Sequence, residues 1–246
     1  MKRKHFLKSL LLGAISTPLL VSACQDEEAI DPATDAATGG TGTTSGGSAS
    51  ANSCTVAPTE TEGPFPTKVP SSYVRSDIRD DRTGYPLTAK ITIGNSNNGC
   101  AALEGALVDI WHCDAQGNYS EYGGTGMQST SYQSVHFLRG RQTTDANGLV
   151  TFTTIFPGWY SGRATHIHVH VYNASGTSLK VTQIAFPEGS GSAVTAVNGY
   201  AKGMSGYTYN AKDNVFSDDK AGVQIATVTG NTTDGFDLSI KLNVPA

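Results

Sequence analysis

The stretch "RATHIHVHVY", Arg163 to Tyr172, carries a histidine at every second position: His166, His168 and His170. Side chains of a β-strand alternate between its two faces, so on a strand these three imidazoles share one face and Ile167 and Val169 take the other. Same-face neighbours stand roughly 6.5–7 Å apart, and a pair of them can serve one metal ion, for which imidazole is the commonest protein ligand. The pattern equally suits a solvent-facing polar edge with Ile167 and Val169 turned into the core. His170 lies too far along the strand to share an ion with His166 at ordinary bond lengths, and reads as a structural group.

The elements that would position these residues are strands. Period-two runs recur along the chain: Leu87 to Ile93, Ala106 to His112, Leu149 to Ile155, the histidine stretch itself, Leu179 to Phe186, Gly222 to Val228 and Phe236 to Val244. Asn147-Gly148 supplies a turn between strands. Short helical turns find room in Asp213 to Gly222 and in parts of Ser192 to Gly203. Seven or more short strands joined by turn chemistry predict an all-β fold, a β-sandwich of mostly antiparallel strands with long active-site loops and few short helices.

The two ends of the 246 residues bound the domain count. Residues 1–23 have a basic start, an apolar run short for a bilayer, and small residues up to Cys24, the build of an export signal. "VSAC" resembles a bacterial lipobox, in which Cys24 is lipidated and anchors the protein to a membrane; an ordinary secretory signal cleaved nearby is the alternative. Residues 24–53 follow as an acidic, then Gly-, Ser- and Thr-rich linker, too poor in large apolar side chains to fold. As a flexible coil it would span roughly 30 Å. Residues 54–246 remain as one domain, exported and membrane-anchored, on the periplasmic or cell-surface side of an outer membrane.

With Cys24 set aside, Cys54, Cys100 and Cys113 leave an odd number in an oxidising compartment, which predicts one disulfide and one free thiol without choosing the pair. The net charge of −4, with charged residues only 15% of the chain and no basic patch, gives no sign of a nucleic-acid partner.

Four pieces in fixed order carry a resemblance: "TEGPF" (Thr61 to Phe65), "GALVDIWHCDAQGNYS" (Gly105 to Ser120), "FLRGRQTTDANGLVTFTTIFPGWY" (Phe137 to Tyr160) and the stretch opening "GRATHIHVHV" at Gly162. Together they resemble the intradiol ring-cleavage dioxygenases, non-haem Fe(III) enzymes that open catechol-type diols with O2 to cis,cis-muconate-type diacids. The resemblance runs from Cys54 to about Pro187 and is greatest to exported single-domain members. It implies iron ligation by Tyr119, Tyr160, His166 and His168. It further implies catalytic roles for Tyr160 as a base, for Arg163 as a cation that stabilises charge on the ring, and for Gln183 beside the iron. His112 and His136 match no ligand position and read as hydrogen-bonded or surface groups.

The implied ligand set is physically coherent. A bound cation favours the charged form of a phenol strongly enough to deprotonate it at neutral pH, and two phenolates with one hydroxide cancel the charge of Fe(III), so the site can be buried. Pro66 departs from the family pattern, in which many relatives have an aromatic residue after "TEGPF", so the pocket wall there is expected to differ. The helical N-terminal dimerisation region of the larger catechol enzymes has no counterpart; the linker stands in its place. Two other readings fit the residues less fully: a tethered β-sandwich that binds surface partners, and a zinc or copper protein using His166, His168 and a further histidine.

Overall fold

The computed structural model of the protein describes residues 54–124 and 126–246. The export signal, Cys24 and the linker through Ser53 lie outside the described residues. Two sheets face each other. One holds β1 (Pro86–Asn95), β2 (Ala101–Ala102), β5 (Leu149–Ile155), β8 (Thr227–Asn231) and β9 (Gly235–Val244), ordered β2-β1-β9-β8 with β5 also on β1. The other is ordered β4-β3-β6-β7, from β3 (Leu107–Trp111), β4 (Arg139–Thr143), β6 (His166–Tyr172) and β7 (Ser178–Ala185). All neighbours are antiparallel except β1 and β9, so the predicted sandwich of mostly antiparallel strands is the fold found.

The core lies between the sheets and follows the pleat. Leu87, Ala89, Ile91 and Ile93 of β1 meet Val108 and Ile110 of β3 and Ile167, Val169 and Val171 of β6 in one buried apolar cluster. Alternation therefore turns His166, His168 and His170 to the outer face of the second sheet. They are nevertheless buried, because loops cover that face: the strap of residues 59–68 and the long segment between β3 and β4.

One local expectation differs, and three others are met with a local twist. The run Gly222 to Val228 enters strand pairing only at Thr227; before it, Gln224 and Ala226 are buried and a single bridge joins Ile225 to Ala185 of the other sheet. The period-two pattern there reflects an extended crossing between sheets, not a ladder. The Asn147-Gly148 turn forms, with the Asp145 carboxylate accepting from the Asn147 and Leu149 amides, yet it carries the chain from β4 in one sheet to β5 in the other and makes no hairpin. Residues 213–222 form the expected turns, shaped by the carboxylates of Asp213 and Asp219, which hold the Val215, Val223 and Gln224 amides. Ser192 to Gly203 does carry the short helix α1 (Ala193–Val197) and a 3-10 turn.

Strand β4, "RGRQT", had no apolar alternation to announce it, because its core-facing position opposite Ile110 is Gly140 and the buried side chain on its other, loop-covered face is the guanidinium of Arg139, satisfied by hydrogen bonds. Cys54 pairs with Cys100, Cα atoms 5.6 Å apart, and Cys113 is the buried free thiol. The bridge pins the start of the strap to the β1–β2 connection.

Candidate metal centre

His166 and His168 sit on β6, a central strand held by β3 on one side and β7 on the other, with Trp111 opposite His168 and Gln183 opposite it on the far side. Their Nε2 atoms lie 3.1 Å apart. Nδ1 of His166 bonds the Ala164 carbonyl at 2.6 Å; a carbonyl only accepts, so Nδ1 carries the proton and Nε2 presents a bare lone pair. That lone pair also faces the hydroxyl of Tyr119 at 3.2 Å. Two donor atoms each about 3 Å from His166 Nε2 have the spacing of neighbours on a cation bound at roughly 2.0–2.1 Å.

The histidine rings are held from outside. His168 lies flat on the Trp111 indole, centroids 4.9 Å apart and planes 3° apart. Its Cε1 meets Gly63 of "TEGPF", where φ is +71° and a Cβ would stand 2.9 Å from that atom. Only glycine lets the strap approach this closely in this backbone conformation. Nδ1 of His168 is buried without a partner.

The tyrosines arrive on two turns that pack backbone to backbone. The Gly158 amide donates to the Asp114 carbonyl at 3.1 Å, and a Cβ on Gly117 would meet the Trp159 carbonyl at 2.3 Å. The Asp114 carboxylate accepts from the Gln116 and Asn118 amides, shaping the turn that delivers Tyr119. Lys202 donates to the Trp159 carbonyl and sits over its indole, while the indole N–H donates to the Gly203 carbonyl, shaping the turn that delivers Tyr160. The Tyr160 ring is 5.7 Å from that of Tyr119 and 5.6 Å from that of His166. All four predicted ligand residues are thus brought together.

The electrostatics of the pocket suits such an ion. Burial lowers His166 to about 3 and holds His168 well below the usual imidazole range, so both rings stay neutral with lone pairs available, as metal binding requires. Burial raises both phenols, and the Arg163 guanidinium opposes the shift at each. A cation must therefore supply the drive to ionise them. Among the described residues no three His, Cys, Asp or Glu side chains converge, so the neighbours of the histidine pair are phenols and not a third histidine.

Arg163 donates to Gln183 Oε1 at 2.6 Å and points Nη1 at the Tyr160 hydroxyl, 3.4 Å away. Its Nε is paired with Asp213, which is fully buried and also accepts from the Ala164 amide. The cation is thus both an ion pair that fixes the turn and a charge beside the phenol. The Gln183 amide bonds Arg163 and the Thr61 carbonyl and no histidine, so it orients the arginine and the strap. His170 bonds Glu62 and Ser178 and stacks on Tyr172, His112 bonds Thr154 and the Cys113 carbonyl, and His136 bonds Tyr73 and Glu121, each in a structural setting.

Trp111, Gln128, Arg139 and Asp213 also build the centre, and the sequence singled out none of them. Trp111 and Arg139 stood inside quoted motifs without a role. Gln128 and Asp213 lie in irregular segments with no periodicity to read.

A β-sandwich thus gathers two imidazoles and two phenols on the covered face of one sheet, beside an arginine, a set of donors able to hold a metal ion. Residues 65–198 match the model of the Dioxygenase family (Dioxygenase_C), and the chain belongs to this family as one of its intradiol ring-cleavage members. It is similar to the intradiol ring-cleavage dioxygenase from Tetranychus urticae, with a TM-score of 0.67 and 29% identity over 78% of this chain and 96% of that one. It is 30% identical over 148 residues to catechol 1,2-dioxygenase of Acinetobacter baylyi, covering 52% of this chain and 45% of that protein. It is 27% identical over 132 residues to chlorocatechol 1,2-dioxygenase of Rhodococcus opacus, 46% of each. The chain spans about half the length of the curated relatives it matches.

Proposed function

We propose that this protein is an Fe(III)-dependent intradiol dioxygenase that cleaves catechol-type diols with O2 to cis,cis-muconate-type diacids. The observation that carries the reading is the convergence of the His166 and His168 Nε2 atoms with the Tyr119 hydroxyl, beside the Tyr160 ring. These four residues would hold the ion. Bound Fe(III) would withdraw electron density from a chelated diolate and make its ring reactive toward O2.

The chain's own groups do the rest. Tyr160 is the more exposed of the two phenols and would accept a proton from the diol at its hydroxyl oxygen. Arg163, locked by Asp213 and Gln183, would present a preorganised cation to negative charge building on the ring without reorienting. Trp111 and Phe65 exclude water around the ligands. Lipidation of Cys24 would anchor the domain at an outer membrane, placing it among diols outside the cytoplasm.

Absorbance and oxygen uptake test the reading. Protein purified in air should be red-brown from a phenolate-to-Fe(III) band, and should consume one O2 per diol across a panel of catechols with release of the ring-opened diacid. A colourless protein that binds zinc in place of iron, or uptake indistinguishable from buffer, would remove it.

A further inference from the structure

Tyr119 lies on an irregular segment, yet it is fully buried and its hydroxyl is placed against His166. No ladder of strand bonds explains that placement. The Gln128 side chain supplies one: its Oε1 accepts from the Tyr119 amide at 2.7 Å and its Nε2 donates to the Tyr119 carbonyl at 2.8 Å. A side-chain amide thus pairs both polar groups of the Tyr119 backbone as a neighbouring strand would. The same Nε2 reaches the Tyr122 and Thr130 carbonyls at 3.1 and 3.2 Å, tying the loop ends together.

Arg139 of β4 completes the brace from the other side. Its Nη2 donates to the Ser120 carbonyl at 2.6 Å, its Nε to the Ser120 hydroxyl at 2.9 Å, and its Nη1 to the Phe65 carbonyl at 3.0 Å and the Thr67 hydroxyl at 3.1 Å. Phe65 in turn stacks on the Tyr119 ring, centroids 4.8 Å apart. One guanidinium therefore fixes the residue after Tyr119 and the residue that packs on its ring. Arg139 also pairs with Trp111 across the strands, on the side where Trp111 carries His168.

We propose that Gln128 and Arg139 are positioning residues for Tyr119, setting the direction of its phenol toward the metal without touching the ion. The proposal deepens the metal reading of the site and rests on it. Gln128→Met keeps volume and removes both backbone bonds. Arg139→Lys keeps the charge and loses the planar fork that spans Ser120 and Phe65 at once. Arg141→Gln, two residues along β4 in an ion pair with Asp109 away from the centre, is the control.

The protein as purified is compared with these variants by circular dichroism, iron titration, visible spectrum, steady-state kinetics and amide hydrogen exchange of the metal-free form. In Gln128→Met and Arg139→Lys, iron affinity should drop roughly 10–100-fold, the range for groups that orient metal ligands. Their charge-transfer maximum should move and kcat should fall more than KM changes; in Gln128→Met, which loses the bond to the Tyr119 amide, that amide should exchange at least about tenfold faster in the metal-free form. Arg141→Gln should leave all of these alone. Variants that lose only melting temperature, with band position, iron affinity and kcat as in the parent, would overturn the proposal. Gln128→Met, which buries no new charge, decides the matter should Arg139→Lys fail to fold. If the parent itself takes up no ferric iron, the metal reading fails separately. The brace is then judged by Tyr119 exchange alone, and unchanged exchange refutes it.

Discussion

The imidazole of His168 is clamped between two residues distant in sequence, and its parallel stack on Trp111, 4.9 Å between centroids, is the closer match of shape. The second contact is Gly63 against Cε1 of the ring, at a φ only glycine adopts freely. Gly63→Ala should therefore act twice. The left-handed backbone costs about 1–3 kcal/mol, and the added methyl displaces the ring from the ion. Urea unfolding should show the first effect and a lower iron content per protein the second; an unchanged iron content would count against His168 as a ligand.

Tyr160→Phe removes the phenol beside Arg163 and keeps the ring packing on Tyr119. Part of the visible band should bleach, and turnover should slow by roughly 10²–10⁴-fold, the contribution typical of a positioned base. A variant with the parent's spectrum would exclude Tyr160 from the ligand set.

Asp213→Asn strips the buried Arg163 of its counter-charge. Breaking a buried pair from one side costs about 3–5 kcal/mol, so the unfolding midpoint should fall accordingly. Activity at a temperature where the variant is still folded should fall as well, because Arg163 no longer holds its direction toward Tyr160. Full stability would show that Arg163 needs no partner there.

Burial keeps His112, His166 and His168 neutral in the metal-free fold, with His112 at about 4 and His166 at about 3. Released by unfolding, each would titrate near 6.5. Between pH 6.5 and about 4 the unfolded chain therefore binds more protons than the native one. Stability should fall as pH drops through that window, by up to about 1.4 kcal/mol per pH unit for each group. Chemical denaturation of metal-free protein across pH 4–7 measures the slope, and His112→Gln should make it shallower. A flat profile would mean that the histidines are solvated.

The Cys54–Cys100 bridge spans 46 positions. Chain-entropy arguments give such a closure about 4 kcal/mol, so Cys54→Ser or Cys100→Ser should lower stability by an amount of that order. Cys113→Ser should not follow the bridge effect, since Cys113 is buried and unpaired. Thiol labelling of the native domain should leave Cys113 unreacted, burial having raised its thiol far above the usual range.

Strand direction and face were legible in the chain because they depend on neighbours one and two residues away. The period of His166, His168 and His170 follows from the pleat alone, as do the inward runs of β1, β3 and β9. The four candidate ligand residues were legible through motif resemblance, and the tertiary structure brings them into one place. What the local pattern left undecided was the environment of the histidine face, since a period of two is the same for a wet edge and a covered sheet. That was decided by loops folding back from 47 to 108 residues away.

The same reason separates the remaining residues. Amino-acid types and spacings determined an all-β domain, a histidine strand, and one disulfide among three cysteines. Only the folded chain could choose Cys54 with Cys100, bury Arg139 inside a strand that looks polar, and set Asp213, Gln128 and Trp111 against Arg163, Tyr119 and His168. Pleat and turn are written in short-range sterics, whereas a buried charge or an amide clamp is stable only where groups far apart in the chain satisfy it.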